Sequence, residues 1–364
     1  MKETRPGDVA IRVIFPKPPG EGVGNPYRPL LYQALNAAGI HVGWTQGYLI
    51  PYWRAVIRQG IPDLIHLQWQ DQLFFGRTLL QTVVRTAQFF LEMGVLKALG
   101  VKYVWTVHNL RNHRRRYPAW ETFASRRLAR WVDAAVVHCR TIQPEVADYL
   151  GIPEDKIFPV VHGNYQRWYP EGPGRVEARR SLGLPEEARI FLYFGKIVAY
   201  KGVEKLVRIF RELEGPNLRL VVAGRPETAQ LQQRISAAAG DDSRILQRFS
   251  YLEDEQLVQY LQACDLTVLP YRDILVSGSV ILSASLGRPF IAPGLGCLKE
   301  FPPAGRILFQ HGGEQGLEWA LRRAAALPAE ALDAMGAALQ DYAADLTWEK
   351  TARQLKAIYL KAMK

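Results

Sequence analysis

The sequence predicts an α/β protein made of two doubly wound, Rossmann-like domains that face each other across a cleft. Three observations predict it. The chain has 364 residues, enough for two domains with full cores. Short apolar runs of β type alternate with helical patterns from end to end, which implies parallel sheets and right-handed crossovers. One stretch, His162–Gly183, is rich in Pro, Gly and Arg, breaks the alternation and reads as the interdomain linker.

In the first half, strands are expected at Ala10–Phe15, His41–Trp44, Leu64–Leu67, Tyr103–His108, Ala134–His138 and Ile157–Val161. Amphipathic segments lie between them at Arg28–Ala38, Thr78–Leu99 and Glu121–Trp131. In the second half, strands are expected at Ile190–Phe194, Arg219–Ala223, Ile245–Phe249, Leu266–Leu269 and Pro289–Ala292, again separated by helical patterns. From Asp345 onward Leu346, Trp348, Leu355 and Tyr359 fall at helical positions. The expected domains are therefore residues 1–165, residues 166–344 and a C-terminal helix, 345–364, that packs back toward the first. Sites belong at the C-terminal ends of the strands.

Composition narrows the function classes. Hydrophobic residues make up 48% and charged residues 22%, ordinary for a soluble globular protein. MKETRPGD is polar and unlike a signal peptide, and no run of 18 uncharged apolar residues predicts a membrane span. Cys139, Cys264 and Cys297 lie far apart, lack metal-site spacing and suit a reducing cytosol. The net charge is +11, and residues 1–165 carry 20 Lys+Arg against 12 Asp+Glu. Such a field favours an anionic partner. Nucleic acid is not expected, because the basic cluster Arg111–Arg116 lacks interleaved aromatics and no nucleic-acid module is readable. Together with the apolar Thr78–Leu99 segment, that cluster resembles a patch for an anionic membrane surface. A solvated basic loop beside a buried helix is the plain alternative.

The most informative stretch is FLYFGKIVAYKGVEKLVRIF, Phe191–Phe210. An apolar strand runs into Gly195, a short loop carries Lys196 and Lys201, and Gly202 opens a helix with Val203, Leu206, Val207 and Phe210 on one face. Two ammonium groups beside the positive end of a helix dipole suit a diphosphate. In the same half, Gly224 and Arg225 end the strand of VVAGRP, where a phosphate contact and a simple turn fit equally well. After the strand LTVLP come Arg272 and Asp273, then Ser277-Gly278-Ser279 at a helix start. These hydroxyls and free helix N–H groups make an anion nest, with a single serine N-cap as the plain reading.

In the first half, Gly20, Gly22 and Gly24 lie between the first strand and first helix. The loop suits a phosphate or sugar, yet its spacing matches no dinucleotide fingerprint and a flexible turn fits as well. His108, at the end of a strand, is placed to bond a sugar hydroxyl or shuttle a proton. His66 reads better as a buried structural histidine.

These pieces in this order resemble the GT-B glycosyltransferases, above all glycosyltransferase family 4, over nearly the whole chain. The matches are Gly22–Asn25 for the glycine-rich first loop, HLQW at His66–Trp69 for an H-x-H-like strand end, and His108 for a histidine near the sugars. VDAAVVHCR at Val132–Arg140, VVHGNY at Val160–Tyr165, LVVAGRP and YLQACDLTVLPY at Tyr260–Tyr271 continue the series. The diphosphate-binding Arg…Lys pair maps onto Lys196 and Lys201, with Lys replacing Arg at the first position. The resemblance departs at one place: the two glutamates usual around the donor map to Ile274 and Leu282, with Asp273 one residue early. Retention of configuration therefore does not carry over, and an inverting enzyme needs a base, for which Glu21 and His108 are the candidates.

The resemblance implies an enzyme that transfers a hexose from a UDP- or GDP-sugar to a hydroxyl of a lipid-linked or polysaccharide acceptor. His108, Lys196 and Lys201 would act in catalysis. Gly22, Gly24, Gly195, Gly224, Arg225, Asp273, Ser277, Gly278 and Ser279 would bind the donor. No metal or further cofactor is expected, because lysines stand in for a metal and no Asp-x-Asp motif occurs. The expected location is the cytoplasm, peripheral at the inner face of the membrane. The missing glutamates motivate an alternative, a non-catalytic sugar-nucleotide or glycan-binding subunit of the same fold.

Overall fold

The computed structural model describes residues 11–16, 25–45, 50–69, 74–112 and 117–364. The chain divides into two compact units, one formed by Met1–Gly163 with Thr347–Lys364 and the other by Asn164–Leu346.

The first unit is a parallel sheet of six strands: β1 (Ile11–Phe15), β2 (Ile40–Trp44), β3 (Leu64–Gln68), β4 (Lys102–Thr106), β5 (Ala134–Val137) and β6 (Ile157–Pro159), in the order β2-β1-β3-β4-β5-β6. Every residue of β3 and β5 is buried, as expected for a parallel sheet covered on both faces. The crossovers are α1 (Tyr27–Ala37), α2 (Pro51–Gln59), α3 (Leu79–Ala98), α4 (Pro118–Trp131) and α5 (Gln143–Leu150). Chain direction reverses after β2, so right-handed crossovers put α1 on one face and α2 to α5 on the other. The face of α1 is completed by the last helix, α13 (Trp348–Met363), which packs along α1 and hydrogen-bonds the Ala38 carbonyl through Lys356 at 2.8 Å.

The second unit is a parallel sheet in the order β12-β11-β10-β7-β8-β9. Its strands are β7 (Arg189–Phe194), β8 (Leu218–Ala223), β9 (Ile245–Arg248), β10 (Leu266–Val268), β11 (Phe290–Pro293) and β12 (Arg306–Phe309). The helices are α6 (Arg175–Leu182), α7 (Val203–Arg211), α8 (Ala229–Ala239), α9 (Asp254–Ala263), α10 (Gly278–Ser285), α11 (Leu317–Ala326) and α12 (Ala329–Ala344). The α7 residues that the spacing sets on one face, Val203, Leu206, Val207 and Phe210, are all buried. They pack on Phe191, Tyr193, Leu220 and Val222 of the sheet.

Two details differ from the sequence reading. The stretch expected as a linker holds helix α6, tied down by charge: Arg179 donates to the Asp265 carboxylate at 3.0 Å and to the Ala263 carbonyl at 2.9 Å, and Arg175 also pairs with Asp265. Strand β12 was not foreseen; it pairs with β11 from Phe290↔Arg306 to Pro293↔Phe309.

Candidate active site

In the second unit, strand order reverses between β10 and β7, so the loops leaving their C-terminal ends diverge and open a crevice. The chain leaves β7 at Gly195, with φ +99°, and β8 at Gly224, with φ +154°. The two glycines lie against each other: a Cβ on Gly224 would sit 1.9 Å from the Gly195 carbonyl oxygen. No side chain fits there, and glycine at both positions lets the two strand ends pack closely against each other. Next come Lys196, exposed and 3.6 Å from the Glu227 carboxylate, and the turn Ala199–Lys201. Gly202 then takes φ +72° with its Cβ position 2.2 Å from the Pro270 carbonyl oxygen, which presses this turn onto the loop after β10. The Arg272 amide donates to the Tyr200 carbonyl at 2.8 Å across the same contact.

This packing fixes Lys201. Its Nζ lies 5.7 Å from the Tyr271 ring centroid and 3.8 Å from the Cβ position of Gly195; Ser279 Oγ lies 3.8 Å from that same point. Burial, with Lys196 adding repulsion, lowers the Lys201 pKa from 10.5 to about 8. Ser277 caps α10, its Oγ accepting the Val280 amide at 3.3 Å and donating to Tyr271 Oη at 3.2 Å. The first N–H groups of a helix have no partner within it, so the Gly278 and Ser279 amides lack intrahelical acceptors at this helix start. Gly195, Lys201, Gly224, Ser277, Gly278 and Ser279 are thus brought together around the ends of β7, β8 and β10, with Lys196 at the rim. Arg225 and Asp273 lie on exposed loop positions. Ile274 is half-buried and Leu282 is buried in α10, so this unit offers no carboxylate at either position. Tyr271 received no role from the sequence. The signal was an aromatic immediately after a strand's C-terminal end.

In the first unit, β4 ends at Thr106, and His108 stands two residues beyond it rather than on the strand. Its ring stacks on Trp69, with centroids 3.9 Å apart and planes at 4°, and meets Tyr27 edge-on at 5.0 Å. Trp69 has φ +42°, a left-handed conformation rare for a bulky residue. The Arg28 guanidinium lies over the Trp69 ring, 4.4 Å from its centroid. His138 after β5 and His162 after β6 complete the group, with ring centroids 5.4 Å (His108–His138) and 5.0 Å (His138–His162) apart. Tyr27 Oη donates to His138 Nε2 at 3.1 Å, because His138 Nδ1 carries the proton given to the Val160 carbonyl at 3.1 Å. His108 Nε2 is buried with no hydrogen-bond partner.

Burial, the mutual repulsion of the rings and Arg28 hold His108 well below the usual histidine range; His138 falls to about 4 and His162 to about 3. All are neutral imidazoles at neutral pH. His66 is fully buried between Tyr359 Oη at 2.5 Å and Thr106 Oγ1 at 2.7 Å, which fits a structural histidine. Trp69, His138 and His162 stand in segments that the sequence comparison used, but nothing in the sequence joined them. Gly22, Gly24 and Glu21 lie outside the described residues. Among the described residues, no group of His, Cys, Asp or Glu is arranged to hold a metal ion, and no helix is long and apolar enough to cross a membrane.

Residues 8–164 match Glycosyltransferase Family 4, and residues 174–285 match the glycosyl transferases group 1. The chain is 30% identical over 289 residues to a GDP-mannose:glycolipid 4-beta-D-mannosyltransferase of Xanthomonas campestris, covering 78% of this chain and 74% of that one. It is 29% identical over 248 residues to a D-inositol 3-phosphate glycosyltransferase of Corynebacterium efficiens, covering 64% and 58% of the two chains. Among solved structures, sucrose-phosphate synthase of Thermosynechococcus elongatus shares the fold with a TM-score of 0.73 at 18% identity, over 97% of this chain and 99% of that one. Anabaena HepE in complex with UDP does so with a TM-score of 0.71 at 14% identity, over 97% and 100%. With two parallel six-stranded α/β units and these matches along most of its length, the chain belongs to the GT-B glycosyltransferases and resembles family 4 among them.

Proposed function

We propose that this hexosyltransferase moves mannose from GDP-mannose to a hydroxyl of a glycolipid, with inversion at the anomeric carbon. The observation that carries the reading is the convergence of Lys201, Gly195 and the α10 N-terminus, in a chain whose 30%-identical relative is a GDP-mannose:glycolipid 4-beta-D-mannosyltransferase. The sugar of GDP-mannose is α-linked, so a β product requires inversion. Apolar Ile274 and Leu282 where family 4 has its glutamates fit a departure from retention.

The chemistry follows from the residues. The acceptor oxygen attacks C1, the C1–O bond to the β-phosphate breaks, and its electron pair leaves with GDP. Charge grows on the diphosphate, where Lys201, Lys196 and the N–H groups of Gly278 and Ser279 stabilise it; such preorganised donors are worth most where water is excluded. Gly195 and Gly224 let the phosphates approach the backbone. Arg225 and Asp273 border the same donor from exposed loops. His108 is the proposed acceptor of the hydroxyl proton because its buried Nε2 has no partner among the described residues; burial weakens it as a base, so the reacting acceptor and the departing diphosphate's charge have to raise its pKa in the complex. Gly22 and Gly24 are proposed to bind the donor sugar. The first unit thus serves the acceptor and the second the donor, at a membrane that carries the glycolipid.

The test is label transfer from GDP-mannose to a bacterial lipid extract. We expect product with GDP-mannose and none with UDP-glucose, and a β linkage by NMR. Lys201→Ala is expected to lose about a hundredfold or more in turnover, and His108→Gln to lose a similar factor. Transfer from UDP-sugars alone, an α product, or near-native turnover in Lys201→Ala would overturn the assignment.

A further inference from the structure

Two side chains at the C-terminal end of the first sheet are buried with hydrogen-bonding groups that the fold leaves unused. Gln68, the last residue of β3, is 1% exposed, and both its Nε2 and its Oε1 lack a hydrogen-bond partner among the described residues. His108, 6% exposed, is in the same condition at Nε2. A primary carboxamide offers two N–H donors and a carbonyl acceptor. Burying all of it without partners is costly, and folded proteins rarely do so. A methionine would fill a similar volume without that cost. Packing therefore does not explain a glutamine at this position.

The sheet sets the two on one side. Side chains alternate along a strand, so Gln68 faces the same way as His66, which bonds Tyr359 of α13 and Thr106 of β4. The β3–β4 register pairs Gln68 with Thr106, and His108 follows Thr106 by two residues. His108 meets Tyr27 of α1, the helix that shares this face with α13. Trp69 ties the two strand ends together: it follows Gln68 directly, and its ring stacks on His108. Its φ of +42° is strained for a tryptophan, and strain of this kind gathers where a site is held in shape. The surroundings are polar yet largely uncharged. His108, His138 and His162 are neutral at neutral pH, and burial keeps the Tyr27 phenol protonated. Arg28, the cation that acts on His108, lies over the Trp69 ring. Neutral donors and acceptors among aromatic rings suit a hydroxylated, uncharged ligand better than a phosphate.

We propose that Gln68 selects the acceptor sugar, its amide N–H and carbonyl bonding two adjacent hydroxyls while His108 Nε2 faces the hydroxyl that reacts. A vicinal diol accepts at one oxygen and donates from the next, the complement of a carboxamide. A site built to bond a hydroxyl also rejects the analogue that lacks it, because its own buried groups are then left unpaired. The inference rests on the glycolipid reading for the class of acceptor and goes beyond it in naming the residue that discriminates among sugars.

The experiment is tryptophan-fluorescence titration of the full chain, without donor, against hexyl glucoside, hexyl galactoside and hexyl mannoside, and then against monodeoxy forms of the one that binds tightest. We expect saturable binding of at least one glycoside. Gln68→Met is expected to weaken it about tenfold. Its melting temperature should be unchanged or raised, since an unpaired buried amide gives way to an apolar side chain of similar size. Deleting one of the two bonded hydroxyls should cost the native chain about tenfold and the variant nothing, the mark of two groups in direct contact. No binding of any of the three glycosides, or equal binding by the native chain and Gln68→Met, would overturn the proposal. So would a lower melting temperature in Gln68→Met, which would show an amide bonded to ordered water in the free protein. The donor does not enter these titrations, so a failure to transfer from GDP-mannose leaves them standing. Transfer from GDP-mannose with an unchanged acceptor KM in Gln68→Met would remove this inference alone.

Discussion

Lys201, the proposed ligand of the diphosphate, is a lysine whose charge is already partly stripped of water. Removed from water between Gly195, Tyr271 and Ser279, it titrates near 8 instead of 10.5. An incoming diphosphate restores the proton by stabilising the charged form. Binding above about pH 8 must then take up a proton, and affinity for GDP is expected to fall toward tenfold per pH unit there. The fold responds with the opposite sign. Between the folded value near 8 and the unfolded value near 10.5 the unfolded chain binds more protons, so the Lys201 contribution to stability rises with pH across that window. Titration calorimetry with GDP from neutral to alkaline pH, beside urea melts at the same values, reads both. Lys201→Ala should abolish both trends; a GDP affinity in the native protein that is flat across this range would show that Lys201 does not hold the diphosphate.

At the scale of elements, the site is built from helix starts and strand ends, and these differ in how well sequence shows them. Helix α10 begins where it does because Ser277 caps it, and the same hydroxyl steadies Tyr271 beside Lys201. Ser277→Ala is expected to cost about 1 kcal/mol of stability from the lost cap. It should also weaken GDP binding severalfold, and Ser277→Thr should restore both; a loss of stability with unchanged GDP affinity would leave Ser277 a cap and nothing more. The β7–α7 unit was legible because its apolar strand and one-sided helix announce themselves within a single stretch. Helix α6 was not, because its anchor is the Arg179–Asp265 pair, 86 positions apart, rather than an apolar stripe. Strand β12 was too short, and its Ile307 and Phe309 alternate over only four residues. The group of Tyr27, Trp69, His108, His138 and His162 was invisible for another reason: parallel register alone gathers the ends of β3 to β6, and no local spacing encodes it.

At the scale of the whole molecule, the histidines make the two units unequal in acid. His66, His108, His138 and His162 are all buried in the first unit, with folded pKa values at about 3, well below 6.5, at about 4 and at about 3. The second unit contains His311 alone, and it is exposed. A base whose folded pKa is lowered leaves the unfolded chain to take the proton first, so stability is present above about pH 6.5 and is lost as pH falls below it. Each histidine removes ~1.4 kcal/mol per pH unit in that window. Four together approach about 5 kcal/mol per unit, against a typical domain stability of about 5–15 kcal/mol. The first unit is therefore expected to unfold between about pH 6 and about pH 4, while the second holds. Because the proposed base His108 belongs to the first unit, transfer should fail in that range, with the proposed GDP binding retained by the second unit. Tryptophan fluorescence and circular dichroism across the pH range, with GDP calorimetry at each step, measure the order of loss. A single transition that takes GDP binding with it, or a first unit unchanged at pH 4, would show that the buried histidines do not set the acid limit of the fold.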